Sequence, residues 1–177
     1  MKWCLFWGLF WVVALEGSAQ KYVAEKSSIT FFSDALIEDI KATNVKASSL
    51  LDIQTSDIVF SVPIREFQFH KKLMQEHFNE KYMESDKYPK ATFSGKLLNF
   101  DASQKSSQSV KATGKLTIHG VTKEVEIEGT AIAGTKITLE SKFMLKLTDY
   151  KVEIPQLLFQ NIAEEVEVTL AFTYKPQ

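Results

Sequence analysis

The sequence predicts an all-β protein: one antiparallel β-barrel of about eight strands, with a single amphipathic helix inserted between them. Three observations lead there. Apolar and polar residues alternate with period two along most of the chain, the mark of strands with one dry and one wet face. Phe is abundant at 13 copies while Gly (7) and Pro (4) are sparse, a balance that favours strands. Only residues 70–85 lose the alternation and take up a helical rhythm.

In chain order, the first unit stands apart. Lys2 precedes an apolar run over residues 3–15, broken only by Gly8, and Gly17-Ser18-Ala19 supplies small residues. This is the pattern of a signal peptide over residues 1–19, cleaved after about Ala19. The run is short for a membrane span, which needs roughly 20 apolar residues. The only cysteine, Cys4, lies inside it, so the expected mature chain has no thiol and no disulfide. The sequence therefore predicts a periplasmic or secreted protein whose residues 20–177 form one domain held by packing alone.

The strands follow. Ile29 and Phe31 open the series, then Ile58, Phe60, Val62 and Ile64, then Ala91 and Phe93 after Pro89. Val110, Ala112, Gly114, Leu116 and Ile118 alternate with Lys111, Thr113, Lys115 and Thr117. Val125 and Ile127 sit between Glu124, Glu126 and Glu128. Ile137, Leu139, Phe143, Leu145 and Leu147 share one parity, with Ser141 its only polar member. Val166, Val168, Leu170, Phe172 and Tyr174 close the set. Turn signals separate these runs at Thr55-Ser56-Asp57, across the Ser/Gln/Lys-rich residues 101–109, at His119-Gly120 and at Ala133-Gly134-Thr135. About eight strands is the usual size of a small barrel, which either fills itself with side chains or leaves room for one ligand. Composition permits both.

Residues 70–85 predict the helix. Leu73, Met74, His77, Phe78 and Tyr82 recur on one face, and Lys71, Lys72, Glu76, Glu80 and Lys81 on the other. Pro89 stops its continuation and pushes Tyr88 to extended geometry. Such a helix suits a flap over one end of a barrel.

Composition and motifs narrow the function. In 177 residues, 45% are hydrophobic and 24% charged, with a net charge of −1, so no basic field is present for nucleic acid or an anionic membrane. His70, His77 and His119 lack the i, i+4 spacing of a metal pair, and His119 falls at a turn, so exposed or half-packed histidines are expected. No serine stands in a nucleophile elbow. Gly114-Lys115-Leu116-Thr117 echoes a phosphate loop only faintly and lies within a strand pattern. The acids Glu124, Glu126, Glu128, Glu164, Glu165 and Glu167 fall mostly on wet parities, which suits a solvated face. The expectation is a non-enzymatic protein with no metal and no cofactor.

Three motifs carry a resemblance. Gly114-Lys115-Leu116-Thr117-Ile118-His119-Gly120-Val121-Thr122-Lys123-Glu124-Val125 closely resembles the signature run of the YceI-like family. His77-Phe78-Asn79 through Tyr82, followed by Tyr88-Pro89-Lys90-Ala91-Thr92-Phe93-Ser94-Gly95, is similar to a second family segment. Asp149-Tyr150 with Ile154-Pro155 is similar to a third. The chain departs from the family at Asp34-Ala35-Leu36-Ile37-Glu38-Asp39, a region usually rich in Gly, and in the length and charge of its helix.

The resemblance implies a lipocalin-like barrel exported to the bacterial periplasm. It also implies an elongated tunnel for an isoprenoid lipid, an isoprenoid quinone or a polyprenyl phosphate. On that reading the ligand-binding wall is Phe60, Phe93, Leu116, Ile118, Leu139, Phe143, Leu145 and Phe172, and Tyr150 is a candidate headgroup contact. The partners expected are this lipid, no nucleic acid and no integral membrane span after cleavage. A homodimer is left open, since strand edges and the helix offer contact surfaces. The competing reading is a filled barrel that docks a partner protein and holds no ligand.

Overall fold

The structure, a computed structural model, describes residues 21–34, 39–152 and 164–177. The leader expected over residues 1–19, most of the segment between Asp34 and Asp39, and the pair Ile154-Pro155 lie outside the described residues. The strands are β1 (Lys21–Ser33), β2 (Ile40–Asn44), β3 (Ser48–Asp52), β4 (Asp57–Pro63), β5 (Gln68–Phe69), β6 (Lys90–Leu98), β7 (Gln108–Ile118), β8 (Val121–Ala133), β9 (Ile137–Lys146) and β10 (Glu165–Pro176). Every pairing is antiparallel, and β10 returns to β1 from Tyr22↔Pro176 to Phe32↔Glu167, which closes the sheet on itself.

The closed ring contains eight strands, in the order β1, β3, β4, β6, β7, β8, β9, β10. The two extra strands are pieces of broken ones. β2 and β3 pair with β1 in one continuous register, Ile29↔Asn44 at one end and Val23↔Leu50 at the other. β4, which ends at Pro63, lies on β3 and β5 lies on β2, with one 3-10 turn, Ile64–Glu66, and a two-residue change of register between them. Pro63 suits this point because it has no N–H to give to a ladder. Asn44, fully buried, ties both breaks together: its side-chain amide donates to Pro63 O at 2.8 Å, and its Oδ1 accepts from Lys46 N at 2.7 Å.

The turns follow local chemistry. β7 and β8 are joined by His119 and Gly120 alone, with φ of 50° and 73°. Two left-handed residues in a row make the type I′ hairpin turn, whose twist matches its strands. Gly120 is doubly required, since a Cβ there would lie 2.5 Å from Cε1 of Tyr88.

The helix differs from its expected extent. α1 covers only Lys72–His77, then runs into a π-helical turn, Phe78–Tyr82, and the chain leaves it through Glu84 at φ 41°. No side chain caps its first turn, and so short a helix stands by packing rather than by propensity. Leu73, placed on the apolar face by its spacing, is 62% exposed. The helix exit is pinned to the β7–β8 hairpin. His119 Nε2 lies 2.9 Å from Glu84 Oε2, and the His119 ring meets Tyr88 edge-on at 4.5 Å. His119 is thus more buried than its turn position suggests, with its side chain 10% exposed.

The core includes a tightly packed layer at the end of the barrel away from this helix. Leu51, Ile58, Ile137, Phe172 and Tyr174 are almost wholly buried there. Ser49 Oγ donates to Val59 O at 2.7 Å, so the Tyr174 hydroxyl, 2.7 Å away, donates to Ser49. Burial holds the Tyr174 phenol well above its ordinary value, the Ser49 contact opposing this only in part. Folded Tyr174 therefore stays neutral where the unfolded chain's tyrosine ionises. The stability linked to it is complete below about pH 10 and is lost as pH rises beyond. We expect denaturant stability to fall as pH rises above about 10, with a shallower fall in Tyr174→Phe. Equal slopes in the two proteins would remove Tyr174 as the cause.

Candidate functional site

Inward-facing residues towards the helix end of the barrel, some buried and some only partly so, surround a space. It is a cavity of about 360 Å³, within the range of ligand pockets. Its floor is aromatic: Phe60 packs edge-on against Phe93 at 6.0 Å and against Phe172 at 4.9 Å. Its roof is a cluster of four rings. Phe78, from the π-helical turn, stacks on Phe31 of β1 at 5.4 Å and lies 5.0 Å from Phe69 and 5.7 Å from Phe67. Met74, His77 and Tyr82 add to this lid from α1 and the turn after it.

The side wall comes from alternate residues of the strands: Val62 of β4, Ala91 of β6, Ala112, Leu116 and Ile118 of β7, Leu139, Phe143 and Leu145 of β9, and Val168 and Leu170 of β10. Of the nine residues expected at the ligand, the structure brings eight to this cavity: Phe60, Phe93, Leu116, Ile118, Leu139, Phe143, Leu145 and Tyr150. Phe172 lies apart from them. It points inward as its parity requires, but it sits below the floor, behind Phe60 and stacked on Tyr174 at 6.0 Å, 2% exposed. Parity gives a residue's side of the sheet and not its height along the barrel, which places Phe172 in the packed half. Phe67 and Phe69, by contrast, were missed. They lie in a short turn and a two-residue strand, where no periodicity is long enough to be read.

The cavity is almost purely apolar. Among the described residues lining it, Glu128 is the only acid, and it stands at the rim with its side chain 81% exposed. Among the described residues, no lysine or arginine lines it. Tyr82 and Tyr150 are among its lining residues, and burial raises both phenols, with the Asp149 carboxylate adding to the effect on Tyr150. Both stay neutral donors at physiological pH. Among the described residues, no group of three or more His, Cys, Asp or Glu comes together, and no helix is long and apolar enough to cross a membrane.

Among the described residues, the wall is broken between β8 and β9. β8 and β9 pair only from Gly129↔Ser141 to Ala133↔Ile137. Beyond Gly129 the two strands part, although β8 stays paired to β7 as far as Val121 and β9 to β10 as far as Lys146. Gly129 permits the last close approach, since a Cβ there would meet Glu140 O at 2.5 Å. The Ser141 hydroxyl donates to Glu128 O at the same point. At the far end Lys123 Nζ lies 3.0 Å from Asp149 Oδ1 and bridges the gap. Glu128, Gly129 and Ser141 all line the cavity, so it reaches the surface through this slit.

A model of the YceI-like domain matches residues 21–174. No curated protein matches the chain. Among solved structures, the fold is similar to that of a polyisoprenoid-binding domain from Saccharophagus degradans implicated in plant cell wall breakdown. The TM-score is 0.75 at 15% identity, over 88% of this chain and 98% of that one. It is similar to Burkholderia cenocepacia BcnA, with a TM-score of 0.70 at 18% identity over 83% and 95% of the two chains. A Campylobacter jejuni YCEI protein matches with a TM-score of 0.54 at 17% identity, over 98% and 96%. At these identities the likenesses establish a shared fold.

Proposed function

The chain belongs to the YceI-like domain family, and from that premise we propose that it is a non-catalytic carrier that holds the hydrocarbon chain of an uncharged isoprenoid lipid in its cavity. The observation that carries this reading is the cavity itself: about 360 Å³ of apolar space under a roof of four phenylalanines, with no lysine or arginine among the described residues that line it. Each hundred Å² of hydrocarbon moved from water into such a space contributes about 2.5 kcal/mol, before the cost of ordering the chain. The polyisoprenoid-binding domain that shares its fold supports an isoprenoid as the occupant.

The lining favours an uncharged headgroup. A buried phosphate without a positive partner would cost several kcal/mol of lost hydration. A quinone or an alcohol needs only a neutral donor, and the phenols of Tyr150 and Tyr82 can provide one. A polyprenyl phosphate could lodge its tail only with the phosphate left outside. We place the protein in the periplasm or outside the cell, on the leader pattern of residues 1–19. The competing filled-barrel reading needs an interior packed along its whole length, and here a cavity of about 360 Å³ lies inside it.

Titration with solanesol, a long uncharged polyprenyl alcohol, and with a polyprenyl phosphate tests the reading. Solanesol should bind more tightly. Phe143→Trp should narrow the wall and weaken solanesol binding by about tenfold, or ~1.4 kcal/mol. Preference for the phosphate, or unchanged affinity in the variant, would count against an uncharged ligand held beside Phe143.

A further inference from the structure

The slit between β8 and β9 is a feature that the carrier reading does not require. A barrel loaded from its end needs no break in its side wall. Here β8 leaves the edge of residues 121–128 facing β9 without a strand partner among the described residues, and β9 does the same over residues 142–146. An unpaired edge along a barrel is costly in solvated or aggregation-prone backbone, so strands that are otherwise long and well alternated have a reason to close.

The two edges are complementary. Continuing the Gly129↔Ser141 register would set Glu128 opposite Lys142, Glu126 opposite Met144, Ile127 opposite Phe143 and Glu124 opposite Lys146. Cross-strand pairs of opposite charge and of apolar side chains stabilise a sheet. The ends of the slit are already fastened, by backbone pairing and the Ser141 hydroxyl on one side and by the Lys123–Asp149 pair on the other. Between them, Ile127 and Phe143 belong to the cavity wall itself.

We propose that the β8–β9 seam is a lateral gate: it parts to let an isoprenoid chain enter or leave sideways, and it zips in the continued register to hold the chain. This inference rests on the carrier reading of the cavity. It adds the route, and with it a tolerance for long chains, since a chain laid in through a slit need not be threaded under the Phe31–Phe78 roof.

The test is a reversible cross-link. In a full chain with Cys4→Ser, Glu126→Cys and Met144→Cys place thiols at positions that face each other only in the zipped seam. The protein is loaded with solanesol while reduced, then oxidised, and release into phosphatidylcholine vesicles is followed by mass spectrometry. Oxidation should slow release at least tenfold, and reduction should restore it. A second variant, Glu124→Lys with Glu128→Lys, sets like charges against Lys146 and Lys142 and should speed release. Complete disulfide formation with unchanged release would overturn the gate and leave the carrier reading intact. Failure of the thiols to join would overturn it too, because the edges must meet. Failure of the reduced protein to bind solanesol at all would instead overturn the carrier reading on which the gate rests.

Discussion

Gly114→Ala should cost more than about 3 kcal/mol of stability, and the protein should be largely unfolded or insoluble. Gly114 of β7 lies directly opposite Gly95 of β6, where the two strands approach closely. A Cβ on Gly114 would stand 2.4 Å from Ser94 O and 2.5 Å from Gly95 Cα. A Cβ on Gly95 would stand 2.1 Å from Thr113 O. All of these obstacles are backbone, so no side chain can turn aside, and only a shift of paired strands would relieve the contact. Gly95→Ala should therefore behave like Gly114→Ala. Gly134 in the β8–β9 turn provides the control: its nearest contact would be Lys136 O at 3.3 Å, and Gly134→Ala should change stability by less than about 1 kcal/mol. Urea denaturation followed by circular dichroism reads all three. A Gly114→Ala protein as stable as the Gly134→Ala protein would show that the strands do not cross as closely as the structure has them.

These glycines show what alternation carries and what it omits. Gly114 was legible as an inward position on β7, between Ala112 and Leu116, but a pattern of period two says nothing about how near the facing strand comes. The same limit governs the site. Residues of β4, β6, β7, β9 and β10 fell on the correct face because a strand's side chains must alternate. The position of the cavity along the axis was hidden, since Phe172 and Phe143 share the inward parity of their strands while one is packed and the other faces open space. The seam was hidden for a related reason. β8 and β9 keep their alternation past Gly129 and Ser141, because each is held by its other neighbour. Two residues did mark the place: Ser141 is the one polar member of its dry face, and Gly129 interrupts the run after Val125 and Ile127. The helix was overextended because spacing alone does not register a missing N-terminal cap or the left-handed Glu84. The His119-Gly120 turn, by contrast, followed directly from residue chemistry, since a two-residue hairpin demands left-handed backbone at both positions.

Ala112→Trp should abolish lipid binding, by a hundredfold or more, and leave the fold intact. Ala112 is a small residue of the cavity wall, on β7 between Leu97 of β6 and Ile127 of β8. It lines the cavity, so an indole there would occupy the volume the ligand needs. Filling an apolar void adds buried contacts, and the thermal midpoint should stay level or rise. Loss of binding with loss of fold would leave the site unlocated. Loss of binding with retained stability places it in the cavity.

The most direct measurement is the native mass spectrum of the wild-type chain and Ala112→Trp, each produced with its own N-terminal segment in a bacterium that makes isoprenoid quinones. Wild type should carry one prenyl lipid per chain, without phosphate, and the folded variant should carry none. Wild type that is lipid-free in every preparation, or the same lipid retained by both proteins, would contradict an isoprenoid held in the open half of the barrel.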